Sequence, residues 1–318
     1  MGWKGTMRSL QAASRRAARD AERRHKAALK QQALNDAADA VDAWEDYVSN
    51  LISVHLDLAD SIDWHAMAAS QKPEPPENSR PKEHHARKRL ETFKPGFFDF
   101  FVGGSDRRKS RLESAIATAL IEDEKTFRQE MLEYEKNLEE WSDDNRMARR
   151  LLDGDIEAVK EVLTNLETMA EEDRIGTNIE FSITSDEIHA YPLVHSDEII
   201  PDYRRKLRAS GSLSETKMLK GQFNELYQDY VASVALKVAG DIFHVLPYDE
   251  VFVTCRTSML NKSTGHKEDT PILSVQFVKD TFKKLNLANL DPSDSLSNFN
   301  HNMKFRKTTG FQPIEPLG

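Results

Sequence analysis

Two series of apolar residues at heptad spacing constrain this chain more than any other feature. Leu34, Val41, Val48, His55 and Ile62 fall seven residues apart, and Ala37, Trp44, Leu51 and Leu58 form a second series offset from the first by three. That offset is the a/d stripe of a helix that pairs lengthwise with another. Further on, Leu120, Phe127, Tyr134, Trp141 and Ala148 again repeat at seven, with Met131, Leu138 and Leu152 alongside. The two patterns predict one helix from about Arg8 to Met67 and another from about Ser105 to Leu152. At 1.5 Å per residue, the second is a rod of roughly 70 Å. Between them, Gln71-Lys72-Pro73-Glu74-Pro75-Pro76 and Pro81 are too Pro-dense for helix, and a short helix over about 82–93 follows. Gly154-Asp155 stops the second rod, and Asp155 caps a third helix over about 156–172.

Charge ties the two rods together. Residues 1–35 hold nine Lys/Arg and two Asp/Glu, whereas 36–64 hold eight Asp/Glu and no Lys/Arg. Residues 80–111 hold ten basic and four acidic side chains, and 113–145 hold three and eleven. Each rod is basic at its start and acidic towards its end. Antiparallel packing sets opposite charges side by side and parallel packing sets like beside like, so the charges predict an antiparallel helical hairpin, within one chain or between two. The Ala-rich stretch through Ala13, Ala17, Ala21 and Ala28 leaves room for another chain.

Past a boundary placed near Arg174–Asn178 the rhythm changes. Asn178–Thr184 alternates at period two, and Glu187–Val194 reads as its antiparallel partner across Ser185-Asp186, with Pro192 favouring an edge. A basic loop over 203–221 precedes a helix from about Gly221 to Val245. Its apolar residues, from Phe223 to Ile242, cover well over one face, so it should pack on a sheet and be covered again on its other side. Glu250–Cys255 and Pro271–Phe277 are two more strands, and Asp291-Pro292-Ser293-Asp294 is a helix start. The expected fold is therefore α+β. A coiled-coil-like arm over 1–175, broken at 71–81, precedes a small mixed domain over 176–318 with a mostly antiparallel sheet, in the order β-β-α-β-β-α-α.

Composition excludes some chemistry. Apolar residues are 39% and charged residues 31%, a shift that suits elongated helices with much surface. The single Cys255 rules out an internal disulfide framework or a cysteine zinc cluster, and within an apolar strand it reads as a buried, inert thiol. No apolar run approaches the roughly 18 residues of a membrane span or forms a signal-peptide core, so a soluble, cytoplasmic protein is expected. The ten histidines give no H-x-x-x-H or H-E-x-x-H pair, and no phosphate-binding glycine loop or G-x-S-x-G occurs. Met1-Gly2-Trp3-Lys4-Gly5-Thr6 formally matches a myristoylation signal, but a bulky Trp beside the acceptor glycine weighs against it.

Asp202 followed by Glu215-Thr216-Lys217 has the acid and E-x-K pattern of metal-dependent nucleases, in which carboxylates hold Mg²⁺ and the lysine orients water. That motif needs a strand, whereas Ser212-Leu213-Ser214-Glu215 reads as a capping box at a helix start. Phe97, Phe98, Phe100 and Phe101, ringed by Lys and Arg, either plug a bundle end or dock on a partner. His55, polar in an apolar seam, sets register or meets a partner. Arg15, Arg16, Arg19, Arg23 and Arg24 either pair with the acidic end of the other rod or hold phosphates. His266, Lys267, Glu268 and Asp269 lie in a polar stretch, Ser258–Thr270, that is long for a hairpin loop.

No residue pattern here names a reaction. The expectation is a non-enzymatic interaction, scaffold or sensor protein without a cofactor, binding a protein partner or a second copy of itself, with membrane attachment disfavoured. The alternative is a nucleic-acid-binding protein or Mg²⁺-dependent nuclease.

Overall fold

The computed structural model describes residues 30–94, 104–169, 178–184 and 187–318. In chain order its helices are α1 (30–52), α2 (Trp64–Ala68), α3 (Pro81–Glu91), α4 (Gly104–Leu152), α5 (Ile156–Met169), α6 (Lys220–Val245), α7 (Lys279–Phe282) and α8 (Pro292–Ser295). Its strands are β1 (Asn178–Ile183), β2 (Ile188–Leu193), β3 (Tyr203–Leu207), β4 (Leu213–Lys217), β5 (Glu250–Leu260), β6 (Lys267–Val278), β7 (Asn300–Arg306) and β8 (Gly310–Gln312). The protein is thus mixed helix and sheet. The expected boundary falls almost wholly outside the described residues, and the compact units part elsewhere. One unit is Asp63–Ala158, and the other joins the chain up to Ile62 to Val159–Gly318.

The larger unit is built on a six-stranded sheet of order β1-β2-β5-β6-β7-β8, antiparallel except for β2 and β5. A parallel pair needs a long crossover, and the chain between β2 and β5 carries α6. Ile188 and Ala190 of β2, Val251, Val253 and Cys255 of β5, and Leu273, Val275 and Phe277 of β6 share one face by register and are buried. The Cys255 thiol lies 3.8 Å from the Val231 carbonyl, so this face lies under α6. Pro192 is not at an edge: β2 is internal. The β2–β5 ladder skips Tyr191 and Pro192, and Arg256 donates from Nη2 to the Tyr191 carbonyl (3.1 Å), supplying a donor where the ladder has a gap.

The other side of α6 is covered by residues 55–62, which corrects the first heptad reading. The helix ends at 52, and His55, Leu58 and Ile62 lie beyond it in a 3-10 turn and an extended strap. A polar row along α6 holds that strap. Ser233 Oγ meets the backbone N–H (3.1 Å) and Nδ1 (2.9 Å) of His55, and Lys237 donates to the Asp57 carbonyl. Asp241 accepts from Ala59 N–H (2.8 Å), and His244 meets Ala59 O (2.6 Å) and offers its own carbonyl to Ile62 N–H. At Gly240 a Cβ would come within 2.7 Å of Leu58, so the glycine permits the strap's close approach.

Two stretches read as loops are largely strand. The basic segment over 203–221 contains β3 and β4, joined by Arg208–Ser212 with Gly211 at φ +79°, the left-handed backbone that a hairpin bend needs. The capping-box reading at Ser212–Glu215 is therefore overturned by strand pairing. In Ser258–Thr270 only 261–266 is loop, because β5 and β6 pair out to Leu260 and Lys267. The expected element order also lacks β7 and β8. Asp291 does cap α8, accepting from Asp294 N–H (3.0 Å).

In the smaller unit α4 is a 49-residue helix that caps its own neighbours. Asn145 donates to the last carbonyls of α2, Met67 O (3.2 Å) and Ala68 O (2.9 Å), and Trp141 Nε1 donates to Ser70 Oγ (2.9 Å). Farther up, Asp123 accepts the first free N–H groups of α3, Lys82 (3.3 Å) and Glu83 (2.7 Å), where the N-cap Arg80 supplies no side-chain bond. From Trp141 to Asp123 is about 27 Å of helix. The Pro-rich residues 71–80 span it without forming helix, and Pro81 opens α3 at its first position. Pro73 and Pro76 are half-buried, three residues apart as in a polyproline turn.

Asp123→Ala should lower the melting temperature of the α3–α4 unit, a loss of about 1–2 kcal/mol, and speed tryptic cleavage at Arg87–Arg89. Asp241→Ala strands the Ala59 N–H and Lys237 in a buried setting and should cost about 3 kcal/mol in chemical denaturation of the full chain.

Candidate functional site

The residues singled out by sequence do not assemble into one centre. Phe97, Phe98, Phe100 and Phe101, and Arg15, Arg16, Arg19, Arg23 and Arg24, lie outside the described residues. Glu215 and Lys217 do sit on a strand, β4, as a nuclease motif requires. Their cross-strand partners are Arg205 and Tyr203, however, which puts Asp202 on the opposite face of the hairpin. Glu215 is paired with Arg205 (3.1 Å), whose guanidinium lies 4.8 Å from the Tyr203 ring centroid.

His55 is 3% exposed, its Nε2 3.1 Å from the Leu287 carbonyl, and burial lowers its pKa. It is an internal lock rather than a contact for another molecule. At the β5–β6 tip, Glu268 is held by Asn261 (2.9 and 3.0 Å) and Thr264 (3.0 Å), while His266, Lys267 and Asp269 stay exposed without converging on it. Among the described residues no three His, Cys, Asp or Glu side chains gather as a metal would require.

Along α4 the heptad row is covered unevenly. Asp123 and Asn145 are buried where α3 and α2 end, but Phe127, Met131, Tyr134 and Leu138 between them are only half-buried. Beside this row Ile121 is 66% exposed and Leu132 62% exposed. They are eleven residues apart, about three turns, and so share one flank of the helix.

A cleft of about 910 Å³ lies in the α+β unit. Trp44 and Val48 of α1 line it with Leu226 of α6 and Phe305 of β7, and the Trp44 indole N–H is anchored on Tyr203 O (3.1 Å). Its acids come from α6 (Glu225, Asp229) and the start of α8 (Asp291, Asp294), and its cations from β3 (Arg204) and the end of β7 (Arg306, Lys307). Lys307 pairs with Glu225, and Asp291 accepts from Ser293 Oγ (3.0 Å) as well as from its cap bond. Asp229 has the Ser293 hydroxyl and the carboxylates of Glu225, Asp291 and Asp294 as neighbours. Burial first, then the neighbouring carboxylates, push its pKa up to about 6. Sequence reasoning passed over this residue, although an acid inside a helix that is apolar nearly all round was the available signal.

A second cluster lies on the sheet face away from α6. Tyr191 Oη is 3.0 Å from His189 Nδ1, His189 Nε2 is 2.7 Å from Thr254 Oγ1, and Thr254 Oγ1 is 2.7 Å from Ser274 Oγ. Burial lowers the His189 pKa, favouring the neutral ring as an acceptor. Thr254 and Ser274 are fully buried, and Ser274 accepts the Leu317 N–H (3.0 Å), so the chain of hydroxyls fastens the C-terminal segment to the sheet.

No family model, no curated protein and no solved structure matches this chain. Among the described residues no helix is long and apolar enough to cross a membrane.

Asp229 gives a pH signature. Its folded pKa of about 6 lies above the ordinary 3.8, so the folded state binds this proton more tightly. Its contribution to stability is full below about pH 4 and is lost as pH rises to about 6. Asp229→Asn should remove that component, leaving the variant roughly 1 kcal/mol more stable than wild type at pH 7.5, after discounting for solvent screening. Paired urea titrations from pH 4 to 8 measure the difference.

Proposed function

We propose that the chain is an interaction protein whose α4 arm binds a protein partner or a second copy of the chain. The observation that supports this most is the half-covered row from Phe127 to Leu138 flanked by exposed Ile121 and Leu132. Ile121 and Leu132 widen that row with exposed apolar surface on one flank, which a second helix could cover. The charge blocks favour antiparallel alignment, the basic start of one long helix beside the acidic end of another. The hairpin expected from the sequence is retained here as the geometry of that pairing, within one chain or between two.

A second reading is favoured by the β3–β4 hairpin. Arg205, Lys206, Arg208 and Lys217 project from a short ribbon against one acid, Glu215, in a chain of net charge −9. Such a ribbon suits a phosphate backbone, and the binding would fall steeply with salt.

Light scattering on the eluting full chain at low and high salt, with absorbance at 260 and 280 nm, separates the two readings. The interaction reading expects a dimer or a co-eluting protein that persists in high salt. Ile121→Glu/Leu132→Glu should abolish it without lowering the melting temperature, because both side chains are exposed. A monomer free of other protein under all conditions refutes it. Nucleic acid that leaves in high salt favours the second reading.

A further inference from the structure

We propose that the cleft between α1, α6 and the end of β7 binds a small zwitterion, with its ammonium group at Asp229 and its carboxylate or phosphate group at Arg204 and Arg306. This site is separate from the α4 surface and does not rest on that reading.

Some charges of the cleft are already matched. Glu225 is neutralised by Lys307, whereas Asp291 has only neutral donors, the Ser293 hydroxyl and the Asp294 N–H, both on one oxygen. Asp229 has no cation beside it among the described residues, though it is partly withdrawn from water on a largely buried helix. Arg204 and Arg306 line the same cleft and form no ion pair among the described residues. The carboxylates of Asp229, Asp291 and Asp294 and the guanidiniums of Arg204 and Arg306 line one cleft without ion pairs among the described residues, and together they complement a ligand that carries both signs. A simple amine would leave the guanidiniums unanswered, and a simple anion would meet four carboxylates.

Size and surface agree. A volume of about 910 Å³ lies within the range of ligand cavities. Trp44, Val48, Leu226 and Phe305 offer apolar surface to the body of a ligand, and the aromatic faces also favour an ammonium group. Three elements distant in sequence, α1, α6 and β7, meet here, so the cleft exists only in the folded unit.

The site is also proton-linked. Asp229 is acted on by Glu225 of its own helix and by Asp291, Ser293 and Asp294 at α8, while Arg204 of β3 and Arg306 and Lys307 at the end of β7 line the same cleft. Its charge is lost as pH falls through about 6, so ammonium binding weakens across that range.

Isothermal titration of the full chain at pH 7.5 with the dipeptide Gly-Phe tests the proposal. Phenethylamine carries only the cationic half and 3-phenylpropionate only the anionic half. Gly-Phe should bind at least tenfold more tightly than either. Asp229→Asn and Arg306→Gln should each weaken it at least tenfold while melting within a few degrees of wild type. At pH 5, wild-type affinity should fall towards that of Asp229→Asn, whose own affinity stays level. Arg306 is exposed, so its variant keeps the test open if Asp229→Asn alters folding. No binding of Gly-Phe, binding no tighter than its halves, or equal binding by both variants overturns the proposal.

Discussion

The α+β unit depends on helix α6 being buried on both sides. A helix on a sheet ordinarily needs one apolar stripe, with its polar side left to water. Here the outward side is covered by residues 55–62, a segment without regular strand or long helix whose backbone groups must find partners. Ser233, Lys237, Asp241 and His244 supply them, spaced so that they fall along one side of the helix. The unit therefore closes by hydrogen bonding an irregular strap onto a buried helix. Burial raises the Asp241 pKa, and the Lys237 ammonium (3.1 Å) and the Ala59 N–H oppose that shift. That opposition sets its partners apart from those of Asp229, which is raised with no cation to oppose it. One acid of α6 is structural, and the other faces a cavity.

The smaller unit solves the same problem in reverse. Its long helix supplies the side chains, and its irregular neighbours supply the backbone. Asp123 and Asn145 do at the ends of α3 and α2 what an N-cap or C-cap residue does within a helix. Because 22 residues separate them, they also fix how far the Pro-rich segment must stretch. The proline density that forbids helix thus gives a stiff connector of suitable length, one that cannot compete for the helix's hydrogen bonds.

Legibility followed how local each signal was. α3, α4, α6 and the cores of β1, β2, β5 and β6 were all readable, because period and termini are written within each segment. The end of α1 was not. Heptad spacing continues through His55, Leu58 and Ile62, and only capture of that backbone by α6 shows why the helix stops. The β3–β4 hairpin was missed because Ser212-Leu213-Ser214-Glu215 also fits a capping box. The competing signal, Ala209-Ser210-Gly211 between two strand-length runs, carries weight only if the glycine is read as a left-handed turn.

The cleft was the least legible feature for a related reason. Its charges come from β3, α6, α8 and β7, and no two of these elements announce from sequence that they will be neighbours. In sequence, Glu225 and Asp229 are two acids four residues apart within a broadly apolar helix, Arg204 is one of a basic run, and Arg306-Lys307 is a basic pair more than seventy residues further on. Their meaning arises only from which pairs form. Lys307 takes Glu225, Arg205 takes Glu215, and among the described residues Asp229, Asp291, Asp294, Arg204 and Arg306 are left without ion pairs in one cleft. A cleft surface that carries charges of both signs outside ion pairs is suited to a ligand that carries both signs as well.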